Sequence, residues 1–227
     1  MTVWTYRELR RAGVGRTEVE RMMFDERLLR VRVGWYASPG THASVLTAVR
    51  AGGSMSCSAA LQKHGIWAVQ GDVHVRLEPR SRRYWSSAVV HRMHGSATGG
   101  IDDLPTALRM AAVCLSPELA ICAIDSALNK RKFTKPQLAS LLETPRGRRL
   151  LALADGRSES GLETLARLRL RAHRLKVRVQ VEINEIGRVD LMVGNRLVIE
   201  LDGDEWHSTP GQREKDRRRD SALTARG

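Results

Sequence analysis

Asp190, Glu200, Asp202 and His207 are the residues of this chain whose types and spacing best suit chemistry. Asp190 interrupts Arg188-Val189-Asp190-Leu191. Glu200 and Asp202 interrupt Val198-Ile199-Glu200-Leu201-Asp202-Gly203, and Trp206-His207 follows shortly after. Both runs otherwise read as apolar strand. An ionised carboxylate in a poorly solvated strand is costly unless a cation or a basic group compensates it. Gly194-Asn195, between the runs, suits a tight hairpin turn that brings Asp190 near Glu200 and Asp202. Hard oxygen donors at that density favour Mg²⁺ or Mn²⁺ over zinc, so the expected chemistry is metal-assisted.

The elements that must position these residues are a helix and three strands. Ser160-Gly161-Leu162-Glu163 opens a helix whose apolar face carries Leu162, Leu165, Leu168, Ala172 and Leu175, with Arg167, Arg169, Arg171 and Arg174 on the remainder. Strands at 177–181, 186–191 and 197–201 come next, then a basic helix from about Pro210 to Ala225. Arg213, Lys215, Arg217, Arg218 and Arg219 on that last helix, with Arg167, Arg171 and Arg174 on the first, would flank the acids with cationic surface able to hold phosphates.

The whole chain has the same bias. Its 227 residues, 42% hydrophobic and 28% charged, suit a soluble globular protein of two or three small domains. A net charge of +13 points to a polyanionic partner, nucleic acid first. No uninterrupted apolar span or basic amphipathic segment with aromatic anchors argues for a membrane, and Met1-Thr2-Val3-Trp4-Thr5 has no apolar signal region, so a cytoplasmic protein is expected. Cys57, Cys114 and Cys122 cannot all pair and lie in apolar or small-residue company, which reads as buried reduced thiols. His74 and His91 fall on alternating strands facing solvent or a partner strand, without ligands at zinc spacing.

From Thr5 to Tyr36 the pattern is a helix, the break Ala12-Gly13-Val14-Gly15, a second helix opened by Arg16-Thr17 with Val19, Met22 and Met23 at helical spacing, and an alternating hairpin, Leu28 to Tyr36. Met22-Met23-Phe24 is expected in the core. Further on, helices are expected at 42–52, 56–64, 104–114, 117–129 and 134–142, and strands at 72–77 and 88–92. Arg146-Gly147-Arg148-Arg149 marks a boundary, although 150–154 reads as a connecting helix. The domain limits are therefore 1–37, 38–150 and 151–227.

Helix, glycine turn, second helix and the wing Arg30-Val31-Arg32-Val33-Gly34-Trp35-Tyr36-Ala37 resemble the N-terminal winged-helix domain of the AbiEi antitoxin family. Ser54-Met55-Ser56-Cys57-Ser58-Ala59-Ala60-Leu61 with Gly65-Ile66-Trp67 is similar to the mixed α+β region that follows it there. The last seventy or so residues resemble PD-(D/E)XK nucleases, and more closely the very-short-patch repair (Vsr-like) endonucleases. The matching residues are Ser160 and Glu163; Val189 and Asp190; Glu200, Leu201, Asp202, Gly203, Trp206 and His207; and Asp216, Arg219, Leu223 and Gly227. The implied architecture is α/β and multidomain: a winged helix-turn-helix, a mixed α+β middle and a restriction-endonuclease-like α/β domain. Two departures stand out. Position 202 holds Asp where the general motif has Lys, a change the Vsr-like branch tolerates but which removes a charge-stabilising cation. Relatives also continue past the position of Gly227 into a further apolar strand, so a sheet lacking that strand, with an open edge, is expected.

The resemblance implies hydrolysis of a DNA phosphodiester. Asp190 would bind Mg²⁺ or Mn²⁺ directly, Asp202 would be a second ligand or outer-shell acid, Glu163 would hold a metal-bound water, and His207 would act as general base or acid. Glu200 stays open between a catalytic and a salt-bridged structural acid. Ser160-x-x-Glu163 also fits a helix capping box, Glu163 can pair with Arg167 one turn on, and His207 beside Trp206 can be a packed residue. Duplex DNA is the expected partner. Arg16, Thr17 and Arg21 begin the recognition helix, and Arg30 and Arg32 sit in the wing. Two functions follow: a metal-dependent endonuclease or nickase, or a DNA-binding regulator of the antitoxin type with a non-catalytic nuclease fold. A homodimer and a cognate toxin are partners left open.

Overall fold

Helix starts are written plainly in this chain. Thr5, Asp103, Ser116, Thr134 and Thr144 each accept a hydrogen bond from a first-turn backbone N–H, and Glu8 and Gln137 complete capping boxes with Thr5 and Thr134. The structure, a computed structural model, describes residues 2–81, 88–184 and 187–201. It is a mixed α/β chain with nine helices and three sheets among those residues. No helix among them is long and apolar enough to cross a membrane.

The first sheet, in the order β1 (Val3–Thr5), β3 (Trp35–Ala37), β2 (Leu29–Arg32), is antiparallel and carries α1 (Tyr6–Arg11) and α2 (Arg16–Phe24) between its first two strands in sequence. Leu9, Val19 and Leu28 form a small core there. Met22 and Met23 pack against it, but Phe24 is 88% exposed, contrary to its expected place in the core. The reason is helical phase, since Phe24 lies five positions, or about 140° of rotation, from the buried Val19.

α3 (Ala43–Arg50) and α4 (Cys57–Lys63) bracket β4 (Ser54–Met55). β5 (His74–Leu77), β6 (Val89–Arg92), β7 (Ala97–Thr98) and β8 (Ile101–Asp102) join β4 in a five-stranded sheet of order β6-β5-β4-β8-β7. Arg76 ties two of its strands together by donating from Nε to both carboxylate oxygens of the buried Asp102 at 2.9 Å. A helical layer packs with α4 beside this sheet: α5 (Leu104–Cys114), α6 (Pro117–Asn129), α7 (Lys135–Leu141) and α8 (Pro145–Leu153). Leu108, Ile121, Ile124 and Leu138 are buried in it, each worth about 1.5–3 kcal/mol relative to exposure.

Packing does not break at the limits expected from composition. Val3 and Ala37 share a core with Val45, Val49 and Met55 across position 38. Arg146 to Arg149 lie inside α8, and Leu150 is in the helical core. The last unit, α9 (Gly161–Ala172), β9 (Val177–Ile183), β10 (Gly187–Val193) and β11 (Leu197–Ile199), is seated on the same helices. Gly161 faces the Trp67 ring so closely that a Cβ there would lie 2.1 Å from it. The three cysteines are unpaired, with Cys57 and Cys122 buried as expected and Cys114 half-buried. Burial pushes the thiols of Cys57 and Cys122 up to about 12, so without a cation beside them both keep their protons.

Candidate functional site

The turn that carries the site forms as its residues predict. Gly194 takes φ +60, and the hairpin pairs Leu191 with Ile199 and Val193 with Leu197, a register that puts Glu200 across from Asp190. Alternation along β10 separates Asp190 from Val189 and Leu191, both fully buried. Asp190 is half-buried and well partnered. Its Oδ2 accepts from the backbone N–H of Leu201 at 2.8 Å, which anchors the chain leaving β11, and its Oδ1 accepts from Gln180 Nε2 at 3.2 Å.

The same Gln180 amide nitrogen donates to Glu163 Oε2 at 2.9 Å. Two acids from different elements, α9 and β10, are thereby held within reach of one point. Glu163 is 4% exposed. Ser160 caps α9 by accepting from the Glu163 N–H at 3.1 Å, but the return arm of a capping box is not formed. The Glu163 carboxylate turns to the Glu159 N–H at 3.0 Å and to Gln180. Pairing of Glu163 with Arg167 is not seen either.

Gln180 was invisible in the sequence, where Val177-Arg178-Val179-Gln180-Val181 reads as an ordinary half-exposed strand. Its backbone takes φ +51, a left-handed conformation costing an L-residue roughly 1–3 kcal/mol in a strand, and it sits across from Asp190 in the register that pairs Val189 with Val181 and Leu191 with Val179. The register signal was available once the hairpin was placed; the strained backbone was not.

Glu163 and Asp190 thus present carboxylate oxygens to one amide nitrogen, and carboxylate oxygen is the donor type that hard cations take. Glu200 lies at the end of β11 and has an interaction of its own. Asp202, His207, Arg213, Lys215, Arg218 and Arg219 lie outside the described residues.

Of the arginines expected to hold phosphate, Arg167 has to be reassigned. It is 0% exposed, and its guanidinium donates to Asp125 Oδ2 at 2.6 Å and to the Leu153 carbonyl at 2.8 Å. Thr164 Oγ1 donates to the same carboxylate oxygen and the Asp155 N–H to the other. This is a core ion pair joining α9 to α6 and α8, and Gly161, Thr164 and Arg167 form the buried stripe there. Leu162, expected on the apolar face, is instead exposed.

Arg171 and Arg174 stay near the surface at the other end of α9. With Lys176, Arg178, Gly194 and Asn195 they line an open cleft of about 730 Å³. Arg171 donates to the Val177 carbonyl at 2.9 Å, and Arg178 to the Gly194 carbonyl at 3.4 Å, so the cationic groups are held in place. Eight helical residues, about 12 Å, separate Arg171 from Glu163. In the N-terminal unit, Arg16 and Thr17 do open α2 and are exposed, as are Arg21 and Arg30. Arg16 pairs with Glu20 at 3.0 Å and Arg21 with Glu18 at 2.7 Å, both on the surface and screened by solvent. Arg32 is half-buried with its guanidinium 4.9 Å from the Trp35 ring centre, a cation–π contact that stiffens the hairpin.

No family model matches the chain. Over 135 residues it is 32% identical to the uncharacterized protein Rv2248 of Mycobacterium tuberculosis (strain ATCC 25618 / H37Rv), and equally to the uncharacterized protein MT2308 of strain CDC 1551 / Oshkosh. The match takes in 54% of this chain and 49% of each relative, so the chain spans about half the length of the curated relatives it matches.

Proposed function

We propose that this is a duplex-DNA-binding protein whose C-terminal unit is a metal-dependent endonuclease or nickase of the Vsr-like kind, targeted by an N-terminal AbiEi-like winged helix. The observation that carries the reading is the Gln180 amide lying 2.9 Å from Glu163 and 3.2 Å from Asp190, which gathers two acids of the motif beside the hairpin. A bound Mg²⁺ or Mn²⁺ would lower the pKa of water and neutralise charge at the phosphorus. Glu163 and Asp190 supply the oxygens that hold such an ion, and Gln180 fixes the direction of both carboxylates. Leu201 N–H keeps Asp190 from turning away. Arg174, Lys176 and Arg178 receive the DNA backbone along the cleft at the far end of α9. The test is supercoiled plasmid incubated with Mg²⁺, with Mn²⁺ and with chelator. Nicked or linear product only with metal is expected, and equal cleavage in chelator sinks the reading.

One observation favours a second reading. Both oxygens of Asp190 already accept hydrogen bonds from protein donors, so the acid is satisfied with no ion at all. A regulator that binds DNA with an inert nuclease fold has that property, and binding without cleavage in either metal selects it.

Both readings require phosphate contacts in the basic cleft. Affinity for duplex DNA is therefore expected to fall steeply with salt, because cations on the protein displace counterions from phosphate. The triple change Arg174→Gln, Lys176→Gln and Arg178→Gln should flatten the log–log salt slope by about 2 to 3. An unchanged slope, measured by fluorescence anisotropy on a labelled duplex, removes the cleft from the DNA path.

A further inference from the structure

A second cluster of chemistry-bearing side chains lies in the middle of the chain and has no part in the site above. Cys57 is the first residue of α4, His74 the first of β5, and Cys114 the last of α5. One ligand atom from each lies within 4.8 Å of the other two. His91, on β6, lies beside His74 but outside that set of three. Its ring stacks on His74 with centroids 5.2 Å apart, and its Nε2 is 2.9 Å from His74 Nδ1. His74 Nδ1 is also 3.5 Å from Cys114 Sγ. A single imidazole nitrogen has one proton to give or one lone pair to share, yet here it faces a second imidazole nitrogen and a sulfur together.

We propose that Cys57, His74, His91 and Cys114 form a tetrahedral Zn²⁺ site with two thiolate and two imidazole ligands, clamping the five-stranded sheet to the helices packed on it. Zinc bonds of about 2.3 Å to sulfur and 2.0–2.1 Å to nitrogen put tetrahedral ligand atoms roughly 3.3–3.8 Å apart. The separations of 2.9 and 3.5 Å around His74 need shifts of a few tenths of an ångström, and a larger movement brings His91 toward the sulfurs on metal binding. Sulfur with imidazole nitrogen is a zinc set, as distinct from the oxygen set at Glu163 and Asp190.

Charge balance favours the site as well. Two thiols surrender their protons as two thiolate–zinc bonds form, the two imidazoles donate lone pairs, and the complex of Zn²⁺ with two thiolates is neutral, with two protons released to solvent. A neutral centre carries no large desolvation penalty at the fully buried Cys57. Cys57 also holds an unusual backbone, φ +52 at the first turn of α4, which fixes where its sulfur starts. Four protein ligands leave no position for water, the arrangement of a structural rather than a catalytic zinc. Its mechanical effect falls on β6, the end strand of the sheet order, which pairs only with β5 among the described strands and would gain a tie through His91 to α4 and α5.

The full chain, purified with reductant, loaded with Zn²⁺ and passed over a desalting column, should retain about one zinc per chain by mass spectrometry of the metal. Co²⁺ in its place should give the visible absorption of a tetrahedral ion together with a thiolate-to-cobalt charge-transfer band. His91→Ala and Cys114→Ser should each weaken zinc affinity by more than about 100-fold against a chromogenic chelator, exceeding the effect of losing an outer-shell partner. Cys122→Ala and Glu163→Gln should leave it unchanged, which separates this site from the proposed nuclease centre. His91→Ala changes a half-buried strand residue, so circular dichroism can establish that its fold is intact. Less than about a tenth of an equivalent of zinc on the folded, reduced protein overturns the proposal. So does undiminished affinity in folded His91→Ala.

Discussion

Asp190→Ala is expected to bring metal-dependent plasmid cleavage to background, a loss of more than about 100-fold, while leaving DNA affinity within a factor of about two. The first half follows from position. Asp190 supplies one of the two carboxylates that Gln180 brings together, and an outer-shell partner alone is worth about 10–100-fold at a metal site, so a direct ligand must exceed that. The second half follows from charge, because removing one carboxylate leaves every cation of the basic cleft in place. Glu163→Gln should behave in the same way as Asp190→Ala. Gln180→Gly is the informative third variant. It removes the bridging amide but suits the φ +51 backbone, so it should fold normally and lose activity by the smaller, outer-shell amount. Full cleavage by Asp190→Ala means another centre does the work. Equal losses in all three variants without loss of fold would instead make Gln180 a ligand.

How much of this was legible beforehand depends on the range of the forces involved. Local signals were read well. The helices expected at 117–129 and 134–142 rest on periodicity among neighbours in sequence, and α6 and α7 are found there. The hairpin at Gly194 was equally local. Linker-like composition misled at Arg146-Gly147-Arg148-Arg149. Arg146 donates to the carbonyls of Ala112 and Leu115 at 2.8 and 2.7 Å, capping the end of α5, and Gly147 is needed where a Cβ would meet the Leu142 carbonyl at 2.4 Å. The partners of Arg146 are some thirty residues away, so no short window of sequence contains them. The acids of the candidate site were visible as polar interruptions of apolar runs. Their connector Gln180, and the four-segment cysteine and histidine cluster, depend on tertiary approach alone.

Arg167 gives the sharpest instance, and its removal should destabilise the protein more than any surface change. In sequence it is one of a run of arginines at alternating positions on a helix, and the same run holds Arg169 and Arg171, which are exposed. In the fold it is 0% exposed beside Asp125, 1% exposed, with the Nη2 to Oδ2 distance 2.6 Å. Arg167→Ala leaves the Asp125 carboxylate buried without its countercharge, a loss of about 3–5 kcal/mol. For a chain of this length that is a fall of roughly 6–20 °C in Tm. Burial also forbids any contact with phosphate. The salt slope of DNA binding, measured well below the lowered Tm, should therefore be that of the unaltered protein, in contrast to the cleft variants. Asp125→Asn should also destabilise, because the amide has one oxygen where the carboxylate has two, accepting from the Asp155 N–H or from Thr164 and Arg167 but not from both sides, and it leaves the buried arginine with only the Leu153 carbonyl. Replacing both members together, as Asp125→Leu with Arg167→Met, should recover much of the loss, since two uncharged side chains of similar bulk need no countercharge. A variant Arg167→Ala with unchanged Tm and a shallower salt slope would return this residue to the DNA surface and break the tie between α9 and α6 on which the placement of Glu163 depends.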